Sequence, residues 1–248
     1  RAPRERLDAL LVARGYAGDL SKARALIMAG KVVVAERRRD KPGERLPADA
    51  LIAVKGSDGW ASRGAHKLLG AIEAFPWLAD RIRGARCLDI GASTGGFTDV
   101  LLRHGALAVA AVDVGYGQLV WRLQQDPRVT VLDRTNIRLL APGTLPWRPS
   151  VATCDASFIS LRLFLDVVFR ELAPGGVFVA LVKPQFEVDR DQVGEGGVVR
   201  DDAVRFAALE RVRDAALGVG FRPLGHAESP LHGPDGNREL LLALERPA

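Results

Sequence analysis

Six lysines stand against 29 arginines in this chain, and two of those lysines sit where chemistry could be done. Lys183 ends the apolar run 177–183, and Asp155 ends the apolar run 151–155. Arginine keeps its proton under ordinary conditions. A lysine amine can lose its proton when desolvation or a neighbouring charge lowers its pKa from about 10.4. Lys67 stands at the start of a helical pattern expected to pack beside the same sheet, and a second cation close to Lys183 would favour the neutral amine. A lysine held neutral beside a carboxylate can draw the proton from a weakly acidic hydroxyl and make its oxygen a nucleophile.

A second stretch says what such an oxygen could attack. Residues 87–102, CLDIGASTGGFTDVLL, run from an apolar strand through glycines into a helix. The spacing Gly91-x-x-x-Gly95-Gly96 is not the G-x-G-x-x-G of dinucleotide sites, so a ligand without a diphosphate is expected. Asp89, Gly91, Ala92, Ser93, Thr94, Gly95, Gly96 and Phe97 form this candidate cradle. Its glycines would let the backbone approach a ligand, and the helix from Phe97 would offer its positive end to a carboxylate. Asp113 closes the next strand, where an acid commonly grips ribose hydroxyls. Asn136 follows the third strand, where an adenine edge would lie, and Asp155 follows the fourth. An amino-acid head, a ribose and an adenine without phosphates describe S-adenosyl-L-methionine, whose sulfonium needs alignment and a nucleophile more than further activation.

The acceptor is narrowed by elimination. Nitrogen methylation of bases commonly uses [DNS]-P-P-[FYW] after the fourth strand, and here that place reads Asp155-Ala156-Ser157-Phe158. Carbon methylation of cytosine needs a cysteine in a Pro-Cys context, and Cys154 follows Thr153 inside a strand. Oxygen methylation remains.

Elements must hold these residues in place. From residue 85 onward, apolar strands near 86–90, 108–113, 129–132, 151–155, 177–183, 221–227 and 238–245 alternate with amphipathic helices. That alternation predicts an α/β fold: a Rossmann-like, doubly wound, mostly parallel seven-stranded sheet. Residues 62–75 form a helix with Leu68, Leu69, Ile72 and Phe75 on one face. Ahead of it, residues 5–14 and a helix capped by Ser21 precede strands at 31–36 and 50–56, joined by the basic, turn-rich RRRDKPGERL. Gly56-Ser57-Asp58-Gly59 reads as a linker. The expected domains are a small α+β unit at 1–56, a linker at 57–61 and the large sheet domain at 62–248.

Charge is split along the same line. Residues 1–57 hold 13 Lys and Arg against 7 Asp and Glu, while the remaining 191 hold 22 against 23. A polyanion docking on the first unit is the natural partner. Arg6, Arg14, Lys22, Arg24 and Lys31 are candidate RNA contacts there, with the run Arg37-Arg38-Arg39. Tyr16 is the single aromatic of that unit, so shape recognition of structured RNA is expected over base stacking. Two cysteines and four scattered histidines show no metal spacing, and no apolar run reaches the ~20 residues of a membrane span. A cytoplasmic, metal-free, membrane-free protein is expected. A pseudouridine synthase would need a β-rich domain in place of the glycine loop. A pore-former would need a membrane-inserting segment. An RNA-binding protein with a non-catalytic methyltransferase fold is the remaining rival.

The chain resembles the TlyA family of ribosomal RNA 2′-O-methyltransferases, sometimes labelled haemolysins, and its larger part resembles the wider FtsJ-like group. SRGAHKL (62–68), LDIGASTGGFTDVLL (88–102), VDVGYGQL (112–119), DASFISL (155–161), LVKPQFE (181–187) and SPLHGPDGNRELLL (229–242) carry the likeness. The N-terminal unit is similar to the RNA-binding domain named after the ribosomal protein S-four. The resemblance implies a catalytic Lys67, Asp155, Lys183 and Glu239, of which Glu239 comes from the family alone. It also implies cytidines of 16S ribosomal RNA, 23S ribosomal RNA or both as targets. Two places depart from the family: Ala35-Glu36-Arg37, where Asn-Gly is common, and Asp58-Gly59-Trp60-Ala61, where Arg-x-Trp-Val occurs.

Overall fold

The computed structural model describes residues 3–14, 16–35, 37–54, 59–233 and 235–248. Residues 55–58, which include Ser57 and Asp58 of the expected linker, and Glu36 of the altered turn lie outside the described residues.

The N-terminal unit packs two helices, α1 (Leu7–Ala13) and α2 (Leu20–Met28), over short strands. Strands β1 (Arg4–Arg6) and β4 (Arg45–Pro47) pair with each other, while β2 (Val32–Val34) lies between β3 (Arg37–Arg38) and β5 (Ile52–Val54). The stretch 37–46, expected as connection, thus contributes two strands. Its arginines and prolines hide them because these edge strands bury little. The cap of α2 is Asp19, whose carboxylate accepts the Lys22 N–H at 2.8 Å, and not Ser21. Leu7, Leu10, Leu11, Ala23, Ile27 and Val32 form a core separate from the rest.

After α3 (Ala65–Ala74) and α4 (Trp77–Ile82) comes a seven-stranded sheet. Its strands are β6 (Arg86–Ile90), β7 (Ala108–Val112), β8 (Val129–Leu132), β9 (Val151–Cys154), β10 (Val177–Val182), β11 (Arg222–Glu228) and β12 (Leu240–Glu245). The order is β11-β12-β10-β9-β6-β7-β8. Strands β6 to β10 run parallel, while β12 is antiparallel to both β10 and β11. Helices α5 (Gly96–Arg103), α6 (Trp121–Gln124), α7 (Leu165–Glu171) and α8 (Asp202–Val219) complete the layers. Strand β10 is buried throughout, as its unbroken apolar sequence requires of a strand covered on both faces. One hydrophobic cluster lies under α3–α5, and a second lies under α7 and α8.

Two topological facts place the site. The order reverses at β6, which pairs with β7 on one side and β9 on the other, so a crevice opens at their carboxyl ends. Strand β12 runs against β10 with Val182 opposite Leu240. Its first residue therefore lies at the edge where the parallel strands end. Glu239, just before β12, comes beside Lys183, just after β10.

Candidate active site

Four side chains converge at that edge. Lys183 Nζ lies 2.7 Å from Asp155 Oδ1 and donates to Ser157 Oγ at 2.7 Å. Lys67 Nζ, from the first turn of α3, sits 3.4 Å from Asp155 Oδ2 and 2.7 Å from Glu239 Oε2. The cations and carboxylates form one chain: Lys183, Asp155, Lys67, Glu239. Lys67, Lys183 and Glu239 are buried, and Asp155 is partly open. The Lys67–Glu239 contact is an ion pair outside hydrogen-bond alignment, and neither Glu239 oxygen makes a hydrogen bond. Lys67 is thus the compensation for a fully buried carboxylate. Gly233 lies over Glu239, where an added Cβ would come 2.7 Å from Oε1.

Two joined cavities flank the chain of charges. One of about 610 Å³ is bounded by Lys67, Lys183, Asp155, Ala92, Thr94 and Phe97. The other, of about 290 Å³, is bounded by Asp113, Asn136, Val114, Ile137 and Ile159. They meet along Gly91, Ser93, Asp155 and Ser157. The smaller is walled by apolar and short polar side chains with two carboxylates, Asp113 and Asp155, and among the described residues no lysine or arginine lines it. A nucleoside fits such a lining, whereas a phosphate would find no counter-charge there. Asp113 accepts the N–H groups of Ser93 at 2.8 Å and Gly115 at 2.7 Å, which leaves lone pairs for hydroxyls.

The glycine loop is also closely seated against the protein itself. A Cβ on Gly91 would come 2.9 Å from Ala156 Cα, and one on Gly96 would come 2.9 Å from the Ala65 nitrogen. One on Gly95 would strike Leu119 at 2.8 Å. These glycines make room for protein, seating the loop against the ends of β9 and α3. Gly91 and Gly95 also adopt positive φ, 77° and 100°. Asp89 lines neither cavity. It is buried beneath the loop, accepting Thr98 Oγ1 at 2.6 Å and Thr153 Oγ1 at 3.3 Å. Burial pushes its carboxyl up to about 7 against the pull of those bonds. Gly95 also stands back from the cavities, while Gly91, Ala92, Ser93, Thr94, Gly96, Phe97, Asp113, Asn136 and Asp155 line them.

Some residues were not singled out in the sequence. Ser157, two positions after Asp155, is the second partner of Lys183. Glu187, buried, accepts Ser160 Oγ at 2.6 Å and the Leu161 N–H at 2.7 Å. It ties the turn that carries Lys183 to the loop that carries Asp155, and burial raises its carboxyl above the usual range. Their signal was a short polar side chain or an acid inside DASFISL and LVKPQFE, which periodicity cannot rank.

The proposed RNA contacts divide. Arg14 turns inward, donating to the Ala48 and Ala50 carbonyls, and is not free for a phosphate. Arg6 and Arg24 share the buried Asp8, whose carboxyl they hold down at about 2, with Arg6 the larger influence. Lys22 pairs only with exposed Asp19 at 3.5 Å, and Lys31 has no carboxylate partner among the described residues.

Two family models match the chain. An S4 domain matches residues 5–52, and the FtsJ-like methyltransferase family matches residues 60–246. The chain is 48% identical to the 16S/23S rRNA (cytidine-2'-O)-methyltransferase TlyA of Mycobacterium tuberculosis, over 98% of this chain and 90% of that protein. It is 37% identical to Hemolysin A of Brachyspira hyodysenteriae, over 95% and 98%. A hemolysin-named structure from Streptococcus thermophilus superposes with a TM-score of 0.74 at 42% identity, covering 100% of this chain and 90% of that one. An S-adenosylmethionine dependent methyltransferase from Mesorhizobium loti shares the fold at 17% identity, with a TM-score of 0.54 over 74% and 99%. The chain belongs to the FtsJ-like methyltransferase family, with an S4 domain ahead of its catalytic sheet.

Proposed function

We propose that this enzyme methylates a ribose 2′-hydroxyl of cytidine in 16S or 23S ribosomal RNA, or in both, using S-adenosyl-L-methionine. The single observation that carries the chemistry is the Lys183–Asp155–Lys67–Glu239 chain at the meeting point of the two cavities. The target nucleotide follows from the relative named for that reaction, matched over nearly the whole chain.

Bound in the joined cavities, S-adenosyl-L-methionine supplies an electrophilic methyl group on a sulfonium. Asp113 and Asn136 would hold its ribose and adenine, and Ser93, Thr94 and Gly96 would hold its amino-acid end. Asp155 and Ser157 fix the Lys183 amine from two sides, which sets where its lone pair can point once the nitrogen is neutral. Lys183 in that form takes the proton from the 2′-hydroxyl. Lys67, anchored by Glu239, shares Asp155 and steadies the negative charge that grows on the oxygen. Alignment of oxygen, methyl and sulfur supplies most of the remaining advantage.

Residues 1–56 would be the RNA-binding domain, 57–61 the linker and 62–248 the catalytic domain. Ribosomal RNA or ribosomal subunits are the partner, and the reaction belongs to the cytoplasm where they are made. The test is methylation of 16S and 23S RNA by the wild type and Lys183→Ala, read by mass mapping, with cofactor binding followed by calorimetry. Loss of methylation at unchanged cofactor affinity is expected. A wild type that binds no cofactor would favour the rival, an RNA-binding protein on a non-catalytic fold.

A further inference from the structure

Between the S4 domain and the start of α3 runs a third cavity, a groove of about 900 Å³. Its floor is small and apolar, with Ala17, Ala25, Ala29 and Ala61. Three cations line it, Lys22, Lys31 and Arg63, and among the described residues no carboxylate does. Gly18, Ser62, Arg63 and Thr94 border both this groove and the cavity that holds Lys67 and Lys183, so the two are continuous. Arg63 stands at the junction. It is exposed, one helical turn ahead of Lys67, and among the described residues no carboxylate lies within ion-pair distance of its guanidinium.

Elsewhere the guanidiniums near this site are engaged. Arg103 and Arg122 share Asp99, and Arg162 pairs with Glu187. An uncompensated guanidinium at the mouth of a reaction cavity is suited to an incoming anion, and its planar fork matches a phosphate in two bonds. The target is constrained as well. The Lys183 amine is buried, so the reacting ribose must enter the cavity. A nucleotide locked in a duplex cannot do that, whereas an unpaired one can. Phosphates on either side of that ribose must then lie at the cavity rim.

We infer that the groove carries the unpaired RNA strand adjoining the target nucleotide, with Arg63 on the phosphate next to the reacting ribose and Lys22 and Lys31 on phosphates further along. This rests on the RNA methylation proposed above. It adds the path of the strand and gives Arg63 a positioning role. Phosphate contacts of this kind set position without reading sequence. The apolar floor leaves the bases few hydrogen-bonding groups, so the groove would accept many sequences.

The test uses the full chain with S-adenosyl-L-methionine and 16S and 23S ribosomal RNA. Arg63→Ala, Arg63→Lys and Lys31→Ala are compared with the wild type and with Arg83→Ala, whose partner Asp80 is on α4, away from all three cavities. Arg63→Ala is expected to raise the KM for RNA about tenfold, as loss of ~1.4 kcal/mol would, with cofactor affinity unchanged. The slope of log binding constant against log salt should fall by ~0.7, one single-strand phosphate contact. Lys31→Ala should lower the slope similarly, Arg63→Lys should recover part of the KM, and Arg83→Ala should change neither. Unchanged KM and salt slope in both alanine variants, with the wild type methylating RNA, would overturn the groove alone. Lost cofactor affinity in Arg63→Ala at an unchanged salt slope would overturn it too, by assigning the guanidinium to the cofactor. A wild type that methylates no RNA strikes at the function itself.

Discussion

At the scale of single residues, the site is a set of charges that have few partners besides each other. Glu239 is fully buried, and among the described residues its one compensation is Lys67 at 2.7 Å. Removing the lysine leaves a bare carboxylate inside the protein. Lys67→Ala should therefore cost about 3–5 kcal/mol in denaturant unfolding, and Lys67→Met combined with Glu239→Gln should recover most of it. Asp89 gives a pH signature. Burial raises its folded carboxyl from 3.8 to about 7, so its contribution to stability is complete below 3.8 and is lost as pH rises through 7. Asp89→Asn removes that loss. The stability of the variant relative to the wild type should climb by about 1.4 kcal/mol per pH unit between those values and level off above them. A flat difference across the range would mean that Asp89 is not the titrating group. Glu187 offers a subtler case. Glu187→Ala would strand the Ser160 hydroxyl and the Leu161 N–H, at ~2 kcal/mol, and would loosen the loop bearing Asp155. Its kcat should fall more than its cofactor affinity, and Glu187→Gln should keep more of both.

At the scale of elements, close seating of the glycine loop is what brings three strand ends and one helix together. Gly96→Ala pushes a methyl toward the Ala65 nitrogen, which belongs to the helix that carries Lys67. It should lower the melting temperature and the methylation rate together, since the same displacement moves Lys67. The seven strands of the sheet lie within two residues of their expected places, and those buried throughout, such as β9 and β10, were legible because they are continuous apolar runs. The two short strands at 37–38 and 45–47 were not, because edge strands of arginine and proline bury too little to leave a pattern. Asp155 and Lys183 could be found from composition and strand ends. Glu239 could not be found that way. What brings it to Lys67 is the antiparallel register of β12 on β10, a long-range fact that no local pattern records. Ser157 and Glu187 were hidden for the same reason: their importance lies in partners 26 or 27 residues away.

At the scale of the whole molecule, a basic unit sits ahead of a nearly neutral catalytic one, and a groove between them opens into the cavity that holds Lys67 and Lys183. Several relatives carry hemolysin names, yet among the described residues no helix is long and apolar enough to cross a membrane. The RNA methylation proposed above uses the fold, the cavities and the charges together. That account turns on whether the Lys183 nitrogen accepts a proton or merely contributes charge. Arginine at 183 would preserve the positive charge while being unable to accept the proton. The most direct measurement is single-turnover methylation of ribosomal RNA by Lys183→Arg beside Lys183→Ala, at saturating S-adenosyl-L-methionine and with cofactor binding verified. Both variants are expected to lose at least ~100-fold in rate. An arginine variant that methylates at close to the wild-type rate would contradict the account.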